Sequence, residues 1–214
     1  MIKIDYQKIA ENLVSKLEST DEKPRILVHT CCGPCVIAAL LFLMPYFQVT
    51  VYFNNSNIYP KAEYDLRLSE LRRILETFEE FKDANIELVI TPYNNEDYTK
   101  KYLLFGKDEK EGGTRCRRCY MVRMEEAYDF AEKNGFDYFV TAMTFSRQKK
   151  SQVINQIGDE LEKKHAKTKY FYSDFKKHGG QIEGGKLIKK YQLYCQDYCG
   201  CAFSFDERDC RKGV

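Results

Sequence analysis

Seven of the nine cysteines fall in three short groups, Cys31-Cys32-Gly33-Pro34-Cys35, Cys116-Arg117-Arg118-Cys119 and Cys199-Gly200-Cys201. Thiols this close in sequence can turn their sulfurs onto one ion or cluster, so the groups predict metal chemistry if the fold brings them together. Seven clustered thiols exceed the four that one zinc site takes. Their settings favour the anionic, ligating form. Pro34 suits the first turn of a helix, whose N-terminus stabilises the negative charge of thiolates or of an iron-sulfur cluster. The Cys116 and Cys119 pair repeats that arrangement, with Arg115, Arg117 and Arg118 adding positive field. Gly200 permits the tight turn that aims Cys199 and Cys201 one way. Cys195 and Cys210 have no close partner of their own and read as inert thiols. His29, two residues before Cys31, reads as a core histidine or as a hydrogen-bond donor to a ligand.

The elements that would position these thiols alternate. Ile9, Leu13 and Leu17 recur at helical spacing, and residues 25–30 form an apolar run of strand length. A helix is expected over 34–44, a strand over 48–53, a long helix over 60–82 and a strand over 86–91. A polar helix over 96–104, a charged loop through Gly112-Gly113, a helix over 117–134 capped by Gly135 and a strand over 137–143 complete the pattern. Four strands separated by helices predict an α/β chain with a parallel sheet, whose ligands collect at the strands' C-terminal ends. Cys31, Cys32 and Cys35 sit at such an end, where a phosphate loop stands in nucleotide-binding sheets, but no glycine-rich phosphate loop occurs. Beyond residue 144 the pattern is helical and basic. Residues 1–140 hold 19 Lys+Arg against 23 Asp+Glu, whereas 141–214 hold 15 against 9, which suits either a solvated face or a phosphate backbone. The chain reads as one domain over 1–214, an α/β core to 143 and a helical portion from 144 that closes over the metal site. No segment is long and apolar enough to span a bilayer, and residues 1–11 lack a signal-peptide core, so a cytoplasmic location is expected, where reducing conditions make disulfides a poor account of nine cysteines.

Four motifs in order carry a family resemblance: Ile26-Leu-Val-His-Thr-Cys-Cys-Gly-Pro-Cys35, Asn57-Ile-Tyr-Pro-x-x-Glu-Tyr-x-x-Arg67, Arg115-Cys-x-x-Cys-Tyr120 and Gln196-Asp-Tyr-Cys-Gly-Cys201. Together they resemble the cobalamin-independent epoxyqueuosine reductases of the QueH family over about residues 25–205. The resemblance implies a sheet related to the adenine-nucleotide α-hydrolase-like (HUP) fold, with the cysteine turn in place of the phosphate loop. It implies removal of the epoxide oxygen from epoxyqueuosine at the wobble position of a tRNA, with an iron-sulfur cluster and a second metal. The chain departs from the family pattern at Cys195, where an arginine is usual, and at Ser146-Arg-Gln-Lys149, where a Ser-Pro-His-Lys segment is usual. The first leaves open an additional ligand; the second puts a histidine role there in doubt.

Epoxide-to-alkene reduction needs two electrons, protons and a way for the oxygen to leave as water. One [4Fe-4S] cluster passes one electron at a time, so a second, mononuclear metal, iron by preference, would hold the oxygen or supply the other electron. Because both x-x pairs sit at helix starts, Cys32, Cys35, Cys116 and Cys119 are assigned to the cluster, with Cys31, Cys199 and Cys201 on the second metal. Asp197, Glu63, Tyr64 and Tyr59 are candidate proton donors by type and motif membership. An external electron donor of ferredoxin or flavodoxin type is implied, and no membrane partner. Two other readings stay open: a tRNA thiolation enzyme on a similar sheet, which would need ATP, and a zinc-stabilised RNA-binding module without catalysis.

Overall fold

The order of the strands decides where the thiols meet. The computed structural model describes residues 4–18 and 23–212, apart from the side chains of 209–212, so the Cys210 side chain lies outside the described residues. Strands β1 (Arg25–His29), β2 (Gln48–Phe53), β3 (Glu87–Ile90), β4 (Tyr138–Thr141) and β5 (Lys169–Tyr170) form one parallel sheet in the order β3-β2-β1-β4-β5. Central β1 is buried from Ile26 to His29, as a strand covered on both faces must be. The chain leaves β1 toward β2 on one side and returns through β4 on the other. The crevice at the C-terminal ends of β1 and β4 is therefore the topological switch point. It receives Cys31 from β1 and residues 142–150 from β4.

Helices α1 (Tyr6–Leu17), α2 (Gly33–Leu43), α3 (Lys61–Thr77), α5 (Thr114–Lys133), α6 (Ser151–Glu162) and α7 (Gly180–Lys190) surround the sheet, with a short α4 (Asn95–Tyr98) and a terminal α8 (Ala202–Lys212). Helix α2 is apolar on nearly every side and packs against α3 and α7, so its buried N-terminus is held rigidly below the cysteine turn. The expected parallel α/β architecture is present and is consistent with a HUP-like sheet. Among the described residues no helix is long and apolar enough to cross a membrane.

Several elements differ from expectation for local reasons. A fifth strand, β5, lies in the portion beyond residue 144 that reads as helical; two residues are too short for a periodicity to register. The long helix stops at Thr77 because Phe78 turns extended, burying its ring against Tyr191 at 3.6 Å between centroids. Residues 99–103 form a π turn and 104–106 a 3-10 turn. The five-residue spacing keeps buried Tyr98 and Leu103 on one side, both packed near Cys119. Helix α5 starts at Thr114, so Cys116 lies within its first turn.

The α6–β5 contact is close because residue 158 has no side chain. A Cβ on Gly158 would stand 2.1 Å from Cζ of buried Tyr170. Gly158→Ala should therefore cost about 1–3 kcal/mol through overpacking, read as a lower urea midpoint with an unchanged slope. An unchanged midpoint would mean that the ring moves aside freely.

Candidate metal centre

Three helix N-termini point at the thiols. Cys32 is the N-cap of α2, Cys35 lies in its first turn, Cys116 lies in the first turn of α5, and Cys201 immediately precedes α8. No side chain caps α2, so its free N–H groups and helix dipole face the cysteine turn, whereas at α5 the Arg115 N–H donates to Glu109 Oε2 at 3.0 Å and Cys116 shares that first turn. Gly33 lets this turn pack tightly, since a Cβ there would be 2.6 Å from Ile74 Cδ1.

In space the thiols gather into two groups. The sulfurs of Cys31, Cys32 and Cys35 all lie within 4.8 Å of one another and are buried. Cys116, Cys119, Cys199 and Cys201 line one small cavity with Asn57 and Leu103. This grouping cuts across the division expected from sequence, which drew Cys32 and Cys35 together with the α5 pair. Gly112 N–H donates to Cys116 Sγ at 3.2 Å and Tyr98 O–H to Cys119 Sγ at 3.5 Å. A larger cavity of about 450 Å³ opens beside both groups, with Cys35 and Cys199 in its wall together with residues 145–149, Gln181, Cys195 and Gln196. Cys199 belongs to both cavities.

The most deeply buried charges beside the thiols are positive, although Glu111 also lines the smaller cavity. Arg67, Arg115, Arg123 and Lys149 are each buried at 5% exposure or less. Arg67 pairs with Glu63 and Arg115 with Glu207, but Arg123 and Lys149 make no carboxylate ion pair among the described residues. Arg123 donates to Asn55 Oδ1 at 2.6 Å and to His29 Nε2 at 3.1 Å. A guanidinium only donates, so His29 Nε2 accepts and its Nδ1–H donates to Thr141 Oγ1 at 2.8 Å. Burial, reinforced by Arg123, holds His29 well below the ordinary histidine range, fixing a neutral ring. The expected alternatives for His29 resolve into a core histidine that props Arg123.

The thiols respond to burial and to each other. Hydrogen bonds from Cys32 and Cys35 hold Cys31 well below the usual thiol range, while burial pushes Cys32 up to about 12. The thiol hydrogen bonds with Cys31 and Cys32 carry Cys35 well above its ordinary value, and burial pushes Cys119 up to about 11. Burial alone would discharge Lys149, but Cys199, Cys31, Tyr120 and Cys35 outweigh it and hold the lysine well above its usual range.

The four expected proton donors have other partners. Glu63 accepts from Arg67 Nε at 2.7 Å and from Tyr194 O–H at 2.8 Å. Tyr64 packs its ring between Phe53 and Tyr93. Tyr59 is exposed against Phe205, and its carbonyl accepts from Tyr198 O–H. Asp197 is exposed and pairs with Arg208 at 3.4 Å. None of the four lines either cavity that holds the thiols. The sequence reading passed over Arg67, Arg123 and Tyr98 as functional residues and named Lys149 only within a segment that departs from the family pattern. Arg67 and Tyr120 had a signal, as the closing residues of two motifs.

A family model described as Epoxyqueuosine reductase QueH matches residues 26–207, a span that takes in both thiol groups and every buried cation named above. The chain belongs to the QueH family. It is 37% identical over 206 residues to the epoxyqueuosine reductase QueH of Staphylococcus aureus, covering 94% of this chain and 84% of that protein. It is 35% identical over 202 residues to that of Streptococcus pyogenes, at 94% and 78% coverage, and 31% identical over 185 residues to that of Thermotoga maritima, at 86% and 91%. The resemblance read from the four motifs is thus borne out. Both departures from the QueH pattern, Cys195 and residues 146–149, fall in the wall of the larger cavity.

Arg67 ties the second and fourth motifs together. It donates to the carbonyls of Cys199 at 3.0 Å and Tyr198 at 3.2 Å, and its guanidinium stands 3.1 Å from the place a Cβ of Gly200 would take, at a residue whose φ is +138°. Arg67→Met should leave Glu63 without its counter-charge, though still bonded to Tyr194 O–H, and strip two carbonyls of their donor, costing about 3–5 kcal/mol. The measurable result is faster alkylation of Cys199 and Cys201 in the metal-free protein. Wild-type alkylation rates would contradict the clamp.

Proposed function

We propose that this chain reduces the epoxide of epoxyqueuosine in tRNA to the alkene of queuosine, using metal centres held by its seven clustered thiols. The observation that carries the reading is the meeting of two thiol groups at a cavity large enough for a modified nucleoside side group, in a chain of the QueH family. The reaction consumes two electrons and two protons, breaks both C–O bonds of the ring and releases water.

The residues present fit such centres. Sulfurs within 4.8 Å match ligands of a single ion, since thiolates about 2.3 Å from a tetrahedral metal lie roughly 3.8 Å apart. We therefore assign Cys31, Cys32 and Cys35 to a mononuclear metal, which they would hold beside the cavity that Cys35 lines. Cys116, Cys119, Cys199 and Cys201 make the four-thiolate set that a [4Fe-4S] cluster takes. This assignment replaces the sequence-based division on the ground of proximity. Such centres supply electrons one at a time and a Lewis acid for the departing oxygen. The protein's share is to exclude water, to hold the thiols through Arg67, Arg123 and the helix N-termini, and to offer the cavity wall to the substrate. The electrons come from an external donor of ferredoxin or flavodoxin type.

The basic C-terminal third contributes less to tRNA binding than its composition suggests. Lys163, Lys164, Lys176, Lys177 and Lys190 all pair with carboxylates: Asp159, Glu125, Asp174, Asp5 and Glu79/Glu80. Exposed Arg147, in the wall of the larger cavity, and exposed Lys150, one residue beyond that wall, make no such pair among the described residues, so we assign phosphate contacts to them. Arg147→Glu with Lys150→Glu should weaken tRNA binding and lower its salt slope by about one per lost contact. Lys163→Glu with Lys164→Glu should leave the slope unchanged. Equal slopes in all three proteins would remove the rim from the interface.

The function is tested by anaerobic reconstitution with iron and sulfide, then incubation with epoxyqueuosine-containing tRNA and a reductant. Queuosine formation is expected, and a protein that takes up zinc alone and leaves the epoxide intact would refute it. Serine variants test the ligand assignment. Cys31→Ser, Cys32→Ser and Cys35→Ser should lower iron while retaining sulfide, whereas a serine at 116, 119, 199 or 201 should lose both. The reverse pattern would exchange the two centres.

A further inference from the structure

Lys149 stands apart from the other lysines of the chain. It is 5% exposed, and among the described residues it forms no ion pair with a carboxylate. It shares the wall of the larger cavity with Cys35 of one thiol group and Cys199 of the other, and its Nζ lies 5.9 Å from the centre of the Tyr120 ring. The segment that carries it is braced from outside. Lys176 donates to the carbonyls of Ser146 and Lys149 at 3.3 and 3.4 Å, and also to that of Thr144. Lys176 itself is balanced by Asp174 at 3.3 Å, so the brace brings its own counter-charge and leaves that of Lys149 uncompensated. Burying an ammonium costs several kcal/mol unless negative charge faces it. The groups able to supply that charge here are the thiolates on either side.

We propose that Lys149 is a tuning residue, whose fixed positive charge between the two thiol groups raises the reduction potential of the metal centres they hold. This rests on the reading that the thiols carry a redox-active centre. Reduction adds one electron, hence one unit of negative charge, to a centre that is already anionic. A cation at fixed short range in a dry interior stabilises the reduced form more than the oxidised one. Arg123 contributes in the same sense, but its bonds to Asn55 and His29 also hold the sheet ends together, so substituting it would confound charge with structure. Lys149 bears only the charge. Its position on the cavity wall, on the segment that leaves β4 for α6, would also let the substrate's arrival alter its solvation and so couple binding to potential.

The test is a redox titration of the anaerobically reconstituted full chain with dithionite, followed by the visible absorption of the centre and by electron paramagnetic resonance. Lys149→Met keeps much of the length and removes the charge; Lys149→Arg keeps the charge. A more negative midpoint potential is expected in Lys149→Met and a near-wild-type value in Lys149→Arg, with equal far-ultraviolet circular dichroism in all three. Iron loss in Lys149→Met with retention in Lys149→Arg would also support the proposal, because charge would then be needed to hold the anionic centre at all. Equal midpoints in wild type and Lys149→Met would overturn it, as would iron loss in both variants, which would make side-chain shape the requirement. A wild-type protein that binds iron and sulfide but has no reversible reduction would refute the underlying redox reading as well.

Discussion

Buried positive charge facing buried sulfur is the interaction on which the site depends. Arg67, Arg115, Arg123 and Lys149 are withdrawn from water within one region, and only two of them have a carboxylate partner among the described residues. An uncompensated cation in the interior is strongly destabilising, so the region requires anions, and the seven thiols are the groups placed to provide them. Three helix N-termini add positive potential from the backbone. A metal that converts thiols to thiolates satisfies both needs at once.

The sheet delivers these charges to one place. The reversal of strand order at β1 leaves a crevice between β1 and β4, which a nucleotide phosphate occupies in related architectures. Here the turn after β1 offers Cys31 and Cys32, and the segment after β4 offers Lys149. Thiolates of the chain itself would then supply the anion that such a crevice suits. Helix α3 then holds the far end of the chain: Arg67, oriented by Glu63, grips the carbonyls of Tyr198 and Cys199, which brings the fourth motif against the third.

Much of this was legible in the sequence, and the failures share a cause. The three cysteine groups, the parallel α/β class and four of the strands could be read because short spacings and hydrophobic runs are local properties. Lys169–Tyr170 could not be read as a strand, because its pairing with β4 is long-range and only two residues long. The partition of the thiols depends on which helices converge, which no spacing encodes. Glu63 and Tyr64 carry the residue types of proton donors, yet one orients a guanidinium and the other fills the core. Composition misled most over charge: Lys164, Lys177 and Lys190, which help make the last third look basic, pair with carboxylates distant in sequence, while the important one, Lys149, is hidden from solvent.

The central claim is that this interior is built around a bound anionic metal centre, and comparing the unfolding of metal-free and reconstituted protein tests it most directly. Chemical denaturation of both forms under strictly anaerobic conditions, followed by circular dichroism and by the visible absorption of the centre, gives two midpoints for the loaded protein and one for the metal-free protein. A centre that completes the charge balance should raise the unfolding midpoint clearly, and its absorption should vanish in the same transition as the helical signal. Identical midpoints with and without metal, or loss of the centre well before the chain unfolds, would contradict the account.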